Sequence, residues 1–202
     1  MADDGELSIT RLERDEIFLH FAFGEVGDAL RALDEADRLA AIRVQRAPGV
    51  TVLESATIIA AVRYALHLAG SVSRIFWPPR NRERGEHLRK FVGVPGDHGL
   101  KDRRLRDHIE HLDERLDKWT AESPRPFTTV QMVVHEIYAE RTRRAMAAST
   151  LVIYDAANRR VSVMGELFDL AALRRDLFDL QGRLSEAWLS LYPDDSKKMD
   201  VE

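Results

Sequence analysis

The chain has 202 residues, of which 45% are hydrophobic and 32% charged, with a net charge of −4 and no cysteine. This balance predicts one compact globular unit, and the lack of cysteine excludes disulfides and thiolate zinc sites and favours the cytoplasm. No apolar run approaches the ~20 residues of a membrane span, and the acidic N-terminus has no signal-peptide pattern, so we expect no membrane association.

Charge is distributed unevenly along the chain. Residues 1–40 hold eleven acidic residues against four arginines, whereas residues 74–106 hold ten Lys and Arg against four acidic residues. Because screening over about 8–10 Å makes neighbouring charges count more than the total, the basic segment can attract phosphate groups even on an acidic molecule. The alternative is that the acidic and basic segments face each other within the fold.

A long helix is predicted over residues 7–45, with Gly24 and Gly27 as candidate break points. Its apolar residues recur at helical spacing: Leu30, Leu33, Ala36, Ala40 and Val44. The Pro48-Gly49 pair then ends the helix.

Residues 51–76 form the most apolar stretch and predict a buried helix that ends at Pro78-Pro79, since proline cannot continue a helix. Arg63, His67 and Arg74 fall on one line of this helix. Buried polar groups need partners, so we expect these side chains either to pair with acidic residues of the first helix or to line a wet cleft.

Residues 81–92 predict a short basic helix, and residues 93–99 a loop without any phosphate-binding glycine pattern. Residues 100–119 then predict a long amphipathic helix on which the rest of the interpretation depends. Its core stripe consists of Leu105, Ile109, Leu112, Leu116 and Trp119. The flank beside this stripe consists of Arg104, His108, His111 and Arg115. Such a flank is either a solvated face or a functional one.

Within this helix, the string Arg106-Asp107-His108-Ile109-Glu110-His111 resembles the signature of the HEPN superfamily (higher eukaryotes and prokaryotes nucleotide-binding). That signature is an Arg, a polar residue, and a His after four to six intervening positions. The resemblance implies a helical fold and metal-independent cleavage of RNA without a cofactor. The resemblance further implies that His111 transfers protons and Arg106 holds the phosphate, with Asp107 and His108 as supporting residues.

Helical geometry qualifies this assignment. Arg106 and His111 point about 140° apart on a regular helix, so one copy cannot easily direct both at a single phosphate. Either the motif helices of two copies meet across a two-fold axis, as in relatives of the family, or Arg104 replaces Arg106 on the same face as His111. The first alternative favours a homodimer, in which Arg63 and His67 are further supporting groups.

After residue 126 the sequence pattern is no longer purely helical. Residues 130–138 fit a strand or a helix, and residues 150–154 and 160–164 predict a β-hairpin. Asp169 can cap a final helix whose apolar stripe consists of Leu170, Leu173, Leu177, Leu180 and Leu184. We therefore predict a mainly α protein. A helical up-down bundle of HEPN-like type (residues 1–122) is extended by a small C-terminal β-hairpin plus helix (residues 127–192), and both parts form one compact unit.

Two functions are consistent with these patterns. The first is a metal-independent endoribonuclease of HEPN type, a bacterial toxin or defence effector with RNA as substrate and an antitoxin protein as partner. The second is a non-catalytic helical RNA-binding or dimerisation module. A metal site at His108 and His111, with His67 or His87 as third ligand, has no HExxH pattern and no cysteine to support it, so no metal is predicted.

Overall fold

The computed structural model describes residues 11–45, 52–102, 104, 111–122, 129–134 and 150–192. The protein is mainly helical, with a small sheet and a C-terminal helix, as predicted. The helices of the described part are α1 (Arg11–Gln45), α2 (Val52–Phe76), α3 (Arg82–Val92), α4 (Leu112–Glu122) and α5 (Leu170–Leu191). The strands are β1 (Thr129–Val134), β2 (Thr150–Asp155), β3 (Arg160–Val163) and β4 (Glu166–Asp169).

Helix α1 runs without interruption through Gly24 and Gly27, so the predicted break is absent. Both glycines lie on or near the outer side of the helix, where no neighbouring element forces a change of direction. The predicted apolar residues Leu30, Leu33 and Ala36 are buried, and they pack in the same core as α2. A glycine costs a helix only about 1 kcal/mol, and burial of this long apolar face outweighs that cost.

Helix α2 carries several fully buried side chains, including Ile58, Ile59, Val62 and Phe76. Contrary to the expectation that no apolar run approaches the length of a membrane span, its segment Ser55–Phe76 is long and apolar enough by composition to cross a membrane. Half of that window is buried inside the protein. A core helix has the same properties. The helix ends at Phe76 and the Pro78-Pro79 pair follows, as the sequence predicts.

The helix predicted over residues 100–119 does not begin at Leu100. Leu100 lies in a 3₁₀ turn (Gly99–Lys101), where it is fully buried, and Asp102 lies outside any helix. None of the α4 side chains is buried: Leu112 and Leu116 are 41% and 38% exposed. Leu105 and Ile109 lie outside the described residues. The interpretation of Leu112 and Leu116 as core of this chain is therefore wrong, because periodicity identifies an apolar face without identifying what covers it.

The sheet has the order β1-β2-β3-β4 and is larger than the predicted hairpin. The hairpin itself is confirmed, since β2 and β3 pair antiparallel with Tyr154 opposite Val161. A second turn at Met164-Gly165, with positive φ at both residues, joins β3 to β4. At the other edge β1 lies parallel to β2, so the segment that fitted either a strand or a helix begins as a strand.

The sheet is anchored on the helices through one buried face and one polar cluster. Tyr154 is 1% exposed, and its hydroxyl donates a hydrogen bond of 2.8 Å to Asp37 of α1. Burial, reinforced by this hydrogen bond, raises the pKa of the Tyr154 hydroxyl well above its ordinary value. Arg174 of α5 donates to the same carboxylate at 2.9 Å and also binds Asp34. The cluster thus joins β2, α1 and α5.

Helix α5 matches its prediction closely. The Asp169 side chain accepts a hydrogen bond of 2.9 Å from the backbone N–H of Ala172, which caps the first turn. All members of the predicted apolar stripe are buried: Leu170, Leu173, Leu177, Leu180 and Leu184. The helix lies antiparallel to α1, because Arg174 meets Asp34 while the Tyr192 hydroxyl just beyond its end meets Glu16 at 2.6 Å.

Candidate functional site

An open groove lies between the end of α2, helix α3 and the 3₁₀ turn. Its volume is about 470 Å³. It is lined by Trp77, Pro78, Pro79, Arg82, Glu86, Arg89 and Lys101. The lining therefore combines a rigid aromatic and proline wall with three cations and one carboxylate.

The groove owes its shape to an abrupt turn between α2 and α3. Asn81 adopts a left-handed backbone conformation (φ 57°), which asparagine tolerates better than most residues. Gly85 then lets α3 approach the end of α2 closely, because a Cβ there would collide with Pro78 and with the carbonyl oxygen of Phe76. At the far end of α3, Gly93 (φ 70°) closes the helix, and its N–H and that of Val94 bond the last carbonyl groups.

Arg89 fastens the two helices together and also contributes to the groove. Its Nη1 donates a hydrogen bond to the carbonyl oxygen of Phe76 at the end of α2. Its guanidinium carbon lies 5.7 Å from the centre of the Trp77 ring, within the range of a cation–π contact. A cation is thereby held in place on the groove wall at little further entropic cost.

The other two groove cations, Arg82 and Lys101, are free to bind an anion. Glu86, the acidic residue of the lining, pairs with Lys90 at 3.0 Å, and this contact lowers the pKa of Glu86. Within the described part of the chain, Arg82 and Lys101 form no ion pair, and both side chains are exposed. An anion can therefore approach Arg82 and Lys101 without displacing a carboxylate.

Behind the groove, His98 supports Trp77. The two rings stack at 5.9 Å with an interplanar angle of 23°, and the His98 side chain is almost fully buried. Nδ1 of His98 accepts a hydrogen bond of 3.2 Å from the N–H of Leu100, so the ring proton lies on Nε2, 3.3 Å from Asp179. With one face against His98 and Arg89 over its ring, Trp77 acts as a fixed wall, and we assign it no base-stacking role.

Asp176 of α5 lies against the same turn. A Cβ at Gly99 would collide with its carboxylate, so any other residue there would force the Asp176 side chain to move. Burial raises the pKa of Asp176 above its ordinary value, and the nearby charge of Arg175 partly offsets this effect. His98 and Asp176 thus hold the turn that carries Lys101 into the groove.

Of the predicted catalytic residues, His111 lies among the described residues, whereas Arg106, Asp107 and His108 do not. The His111 side chain is 53% exposed, and its Nδ1 lies 3.6 Å from the carboxylate of Glu114. An exposed imidazole beside a carboxylate has the geometry of a proton-transfer group that a substrate can reach. The ring is open to solvent, and Glu114, itself 76% exposed, does not enclose it.

The two arginines that flank His111 in the predicted face are both engaged by acids. The Arg104 guanidinium binds Asp102 through Nε at 2.8 Å and Nη2 at 2.5 Å, which lowers the pKa of that carboxyl. Arg115 binds Glu166 at the start of β4. A phosphate would therefore have to displace a carboxylate from either side chain.

The predicted polar stripe of α2 is exposed, which corrects the expectation that it is buried. Arg63, His67 and Arg74 all lie on the solvent side of the helix, while the buried face is formed by apolar residues. They do not line the groove. Within the described residues neither Arg63 nor His67 pairs with an acidic residue, so the predicted pairing with α1 is absent for these two side chains.

The residues that build the groove were not selected individually from the sequence. The basic excess over residues 74–106 pointed to the right segment, and Arg82, Arg89 and Lys101 belong to it. Trp77 had no sequence signal of its own, because a single tryptophan before a Pro-Pro pair is compatible with ordinary core packing. Helix α3 and the 3₁₀ turn meet on one side of Trp77 only in the folded protein, so the sequence pattern does not show this arrangement.

A second, smaller cleft of about 310 Å³ lies between α1 and α5. It is lined by Leu19, His20, Phe23, Leu184, Ser185, Trp188 and Leu189. It carries no arginine or lysine and is therefore unsuited to an anion. Within the described ranges, no group of three or more His, Asp or Glu side chains has an arrangement able to hold a metal ion.

Comparisons with protein-family models, with characterised proteins and with solved structures gave no match. A function has therefore to be inferred from two features: the cation-lined groove, and the exposed His111 at the end of the motif Arg106 to His111.

Proposed function

We propose that this protein binds single-stranded RNA and that the groove formed by Trp77, Arg82, Arg89 and Lys101 holds its phosphate backbone. One observation carries this proposal: Arg82 and Lys101 are exposed, form no ion pair within the described residues, and line the same groove of about 470 Å³. Guanidinium groups offer paired donors that match phosphate oxygens, and basic grooves are the common feature of proteins that bind single strands.

The contacts available in the groove are charge contacts rather than base contacts. Phosphate contacts fix position and affinity but carry no sequence information. Since Trp77 is occupied by His98 and Arg89, the groove offers no obvious platform for reading a base. We therefore expect weak dependence on sequence and strong dependence on salt.

The test measures the affinity of the full chain for a fluorescent RNA strand over a series of salt concentrations in EDTA. The double variant Arg82→Gln/Lys101→Gln removes two groove cations and should lower the slope of log K against log salt by about 1.4, at about 0.7 per lost phosphate contact. The matched control Arg31→Gln/Arg38→Gln also removes two cations, from the outer side of α1. It should leave the slope unchanged. Equal slopes for both variants would contradict the groove as the binding site.

A second function is favoured by the exposure of His111. We propose that a bound strand is cleaved without a metal, with His111 transferring protons and Arg106 holding the phosphate, as the HEPN resemblance implies. A toxin or defence role with an antitoxin partner remains part of this proposal. The exposed ring and its neighbouring Glu114 carboxylate support it.

Cleavage of the same RNA in EDTA tests this second function. His111→Ala should reduce the rate by roughly 100-fold or more, the usual scale for a general acid or base. Arg106→Ala should do the same, and Arg104→Ala should have a smaller effect, because Arg104 is already held by Asp102. RNA that is bound but never cleaved by the wild-type protein would leave the non-catalytic RNA-binding module as the function.

A further inference from the structure

The cleft between α1 and α5 has no role in the proposed RNA-binding groove and differs from it chemically. Leu19 and Leu184, which are 2% and 1% exposed, form its floor, and Phe23 and Trp188 provide aromatic walls. Its volume of about 310 Å³ lies at the lower end of the usual range for small-molecule sites, which are mostly apolar with a few polar groups. The cleft therefore favours a small ligand with an apolar body.

Two polar side chains, His20 and Ser185, also line this cleft. The His20 ring packs against Trp188, with the ring centres 6.2 Å apart and the planes tilted by 48°. The Ser185 hydroxyl donates a hydrogen bond of 3.0 Å to the carbonyl oxygen of Gln181, so its proton is used within α5. Ser185 can therefore offer a ligand only a lone pair, which suits a donor such as an N–H group.

A carboxylate without a cationic partner lies about one helical turn from the cleft. The Tyr192 ring packs against Trp188 at 5.1 Å, and its hydroxyl donates a hydrogen bond of 2.6 Å to Glu16. Glu16 is half-buried and lies on the same side of α1 as His20, four residues later. Within the described residues Glu16 forms no ion pair. Its negative charge is therefore available to attract a cation.

The wider surroundings of the cleft support the same charge preference. Residues 11–28 of α1 hold five acidic residues against two arginines. Across the cleft, the Arg183 guanidinium of α5 is bound by Asp179 at 2.6 Å. Aromatic faces add to the attraction, because the ring electrons of tryptophan favour a nearby ammonium group. Charge and aromatic content together favour a cation and disfavour an anion.

We propose that the cleft between α1 and α5 binds a small amine with an aromatic or branched aliphatic body. The body lies on the leucine floor between Phe23 and Trp188. The ammonium group lies beside the Trp188 ring, where the Glu16 carboxylate attracts it and the Ser185 oxygen accepts a hydrogen bond. This site shares no residue with the RNA-binding groove, so the inference does not depend on the proposed function.

Calorimetric titration at neutral pH with three probes of similar size tests the charge preference. The probes are phenethylamine, phenethyl alcohol and phenylacetate. The amine should bind at least about tenfold more tightly than the alcohol, and phenylacetate should not bind measurably. Glu16→Gln keeps an acceptor for the Tyr192 hydroxyl but removes the charge, so it should lower the affinity for the amine to that for the alcohol. The matched control Glu186→Gln removes the same charge from an exposed position of α5 and should change neither affinity.

A second pair of variants tests the location of the site. Ser185→Phe fills the cleft and should abolish binding of both the amine and the alcohol. Ser190→Phe places the same ring on an exposed position of the same helix and should bind both probes as the wild type does. RNA affinity should be unchanged in both variants, because the groove lies on other elements.

Three results would overturn the inference, whether or not RNA binds the groove. Equal affinities of the wild-type protein for the amine and the alcohol would refute selection by charge. A Ser185→Phe protein that binds phenethylamine as tightly as the wild type would show that the amine binds elsewhere. Wild-type protein that binds none of the three probes at millimolar concentration would refute the site itself.

Discussion

Gly85 is the position at which a single methyl group should disturb both the fold and the groove. A Cβ there would lie 2.7 Å from the carbonyl oxygen of Phe76, and closer still to Cδ of Pro78. Neither atom can rotate away, since one belongs to the last turn of α2 and the other to a closed ring. Gly85→Ala must therefore push α3 away from the end of α2.

Two opposing effects determine how much Gly85→Ala changes the free energy of unfolding. Alanine is favoured over glycine in a helix interior by about 1 kcal/mol, whereas overpacking a tight contact costs about 1–3 kcal/mol. With rigid atoms on two sides, we take the upper end of the cost, so the net loss is about 2 kcal/mol. Gly24→Ala is the matched control, because Gly24 is exposed on α1 with nothing within 4 Å of its Cβ position. We expect it to gain about 0.5–1 kcal/mol.

Chemical denaturation should show that the free energies of unfolding of the two variants differ by about 2.5–3 kcal/mol. In thermal unfolding, each kcal/mol should shift the melting temperature by about 2–4 °C. RNA affinity should fall in Gly85→Ala, because Arg82 and Arg89 move with α3, and should be unchanged in Gly24→Ala. A Gly85→Ala protein as stable as the control would refute the close contact. A destabilised variant that binds RNA normally would refute the dependence of the groove on the position of α3.

Three further predictions follow from the fold. Tyr154→Phe should cost about 1.5 kcal/mol in urea denaturation, because a buried hydrogen bond to the Asp37 carboxylate is lost, and unchanged stability would contradict this. The raised pKa of Asp176 means that the folded protein resists its ionisation. Wild-type stability should therefore fall, relative to Asp176→Asn, as pH rises through the carboxyl range; a pH-independent difference would exclude this effect. Sedimentation at micromolar concentration should show a homodimer of the 23.0 kDa chain. The double variant Leu112→Lys/Leu116→Lys should dissociate it, because these exposed leucines would otherwise be covered by the second copy. A wild-type monomer would exclude the composite catalytic site.

The sequence predicted elements well where the periodicity and the end signals agreed. Asp169 marked the start of α5, and the leucines that follow it are buried as expected. Pro78-Pro79 marked the end of α2, and the β2–β3 hairpin was evident from two β-branched runs around a polar turn. These features depend on local interactions, which a sequence window contains.

The errors arose where a tertiary neighbour decides the outcome. The leucines of α4 have helical spacing but no described element of this chain covers them, and Leu100 is buried in a separate turn. The apolar composition of α2 predicts a helix buried on all sides, but only the side opposite the polar stripe meets the core. Strand β4 is only four residues long and exists because β3 lies beside it. The groove needs three separate segments to meet, which no single window reveals.

The antiparallel packing of α1 against α5 also constrains the order of events during synthesis. Leu19 and Leu184 line the same cleft, although 165 residues separate them along the chain. At about 5–20 residues per second, the ribosome completes the second of these leucines some 8–33 s after the first. During that interval α1 lacks α5 as a packing partner, and the side of α1 around Leu19 remains exposed. Apolar surface on α1 therefore stays open to contact with other chains until α5 emerges and docks on it.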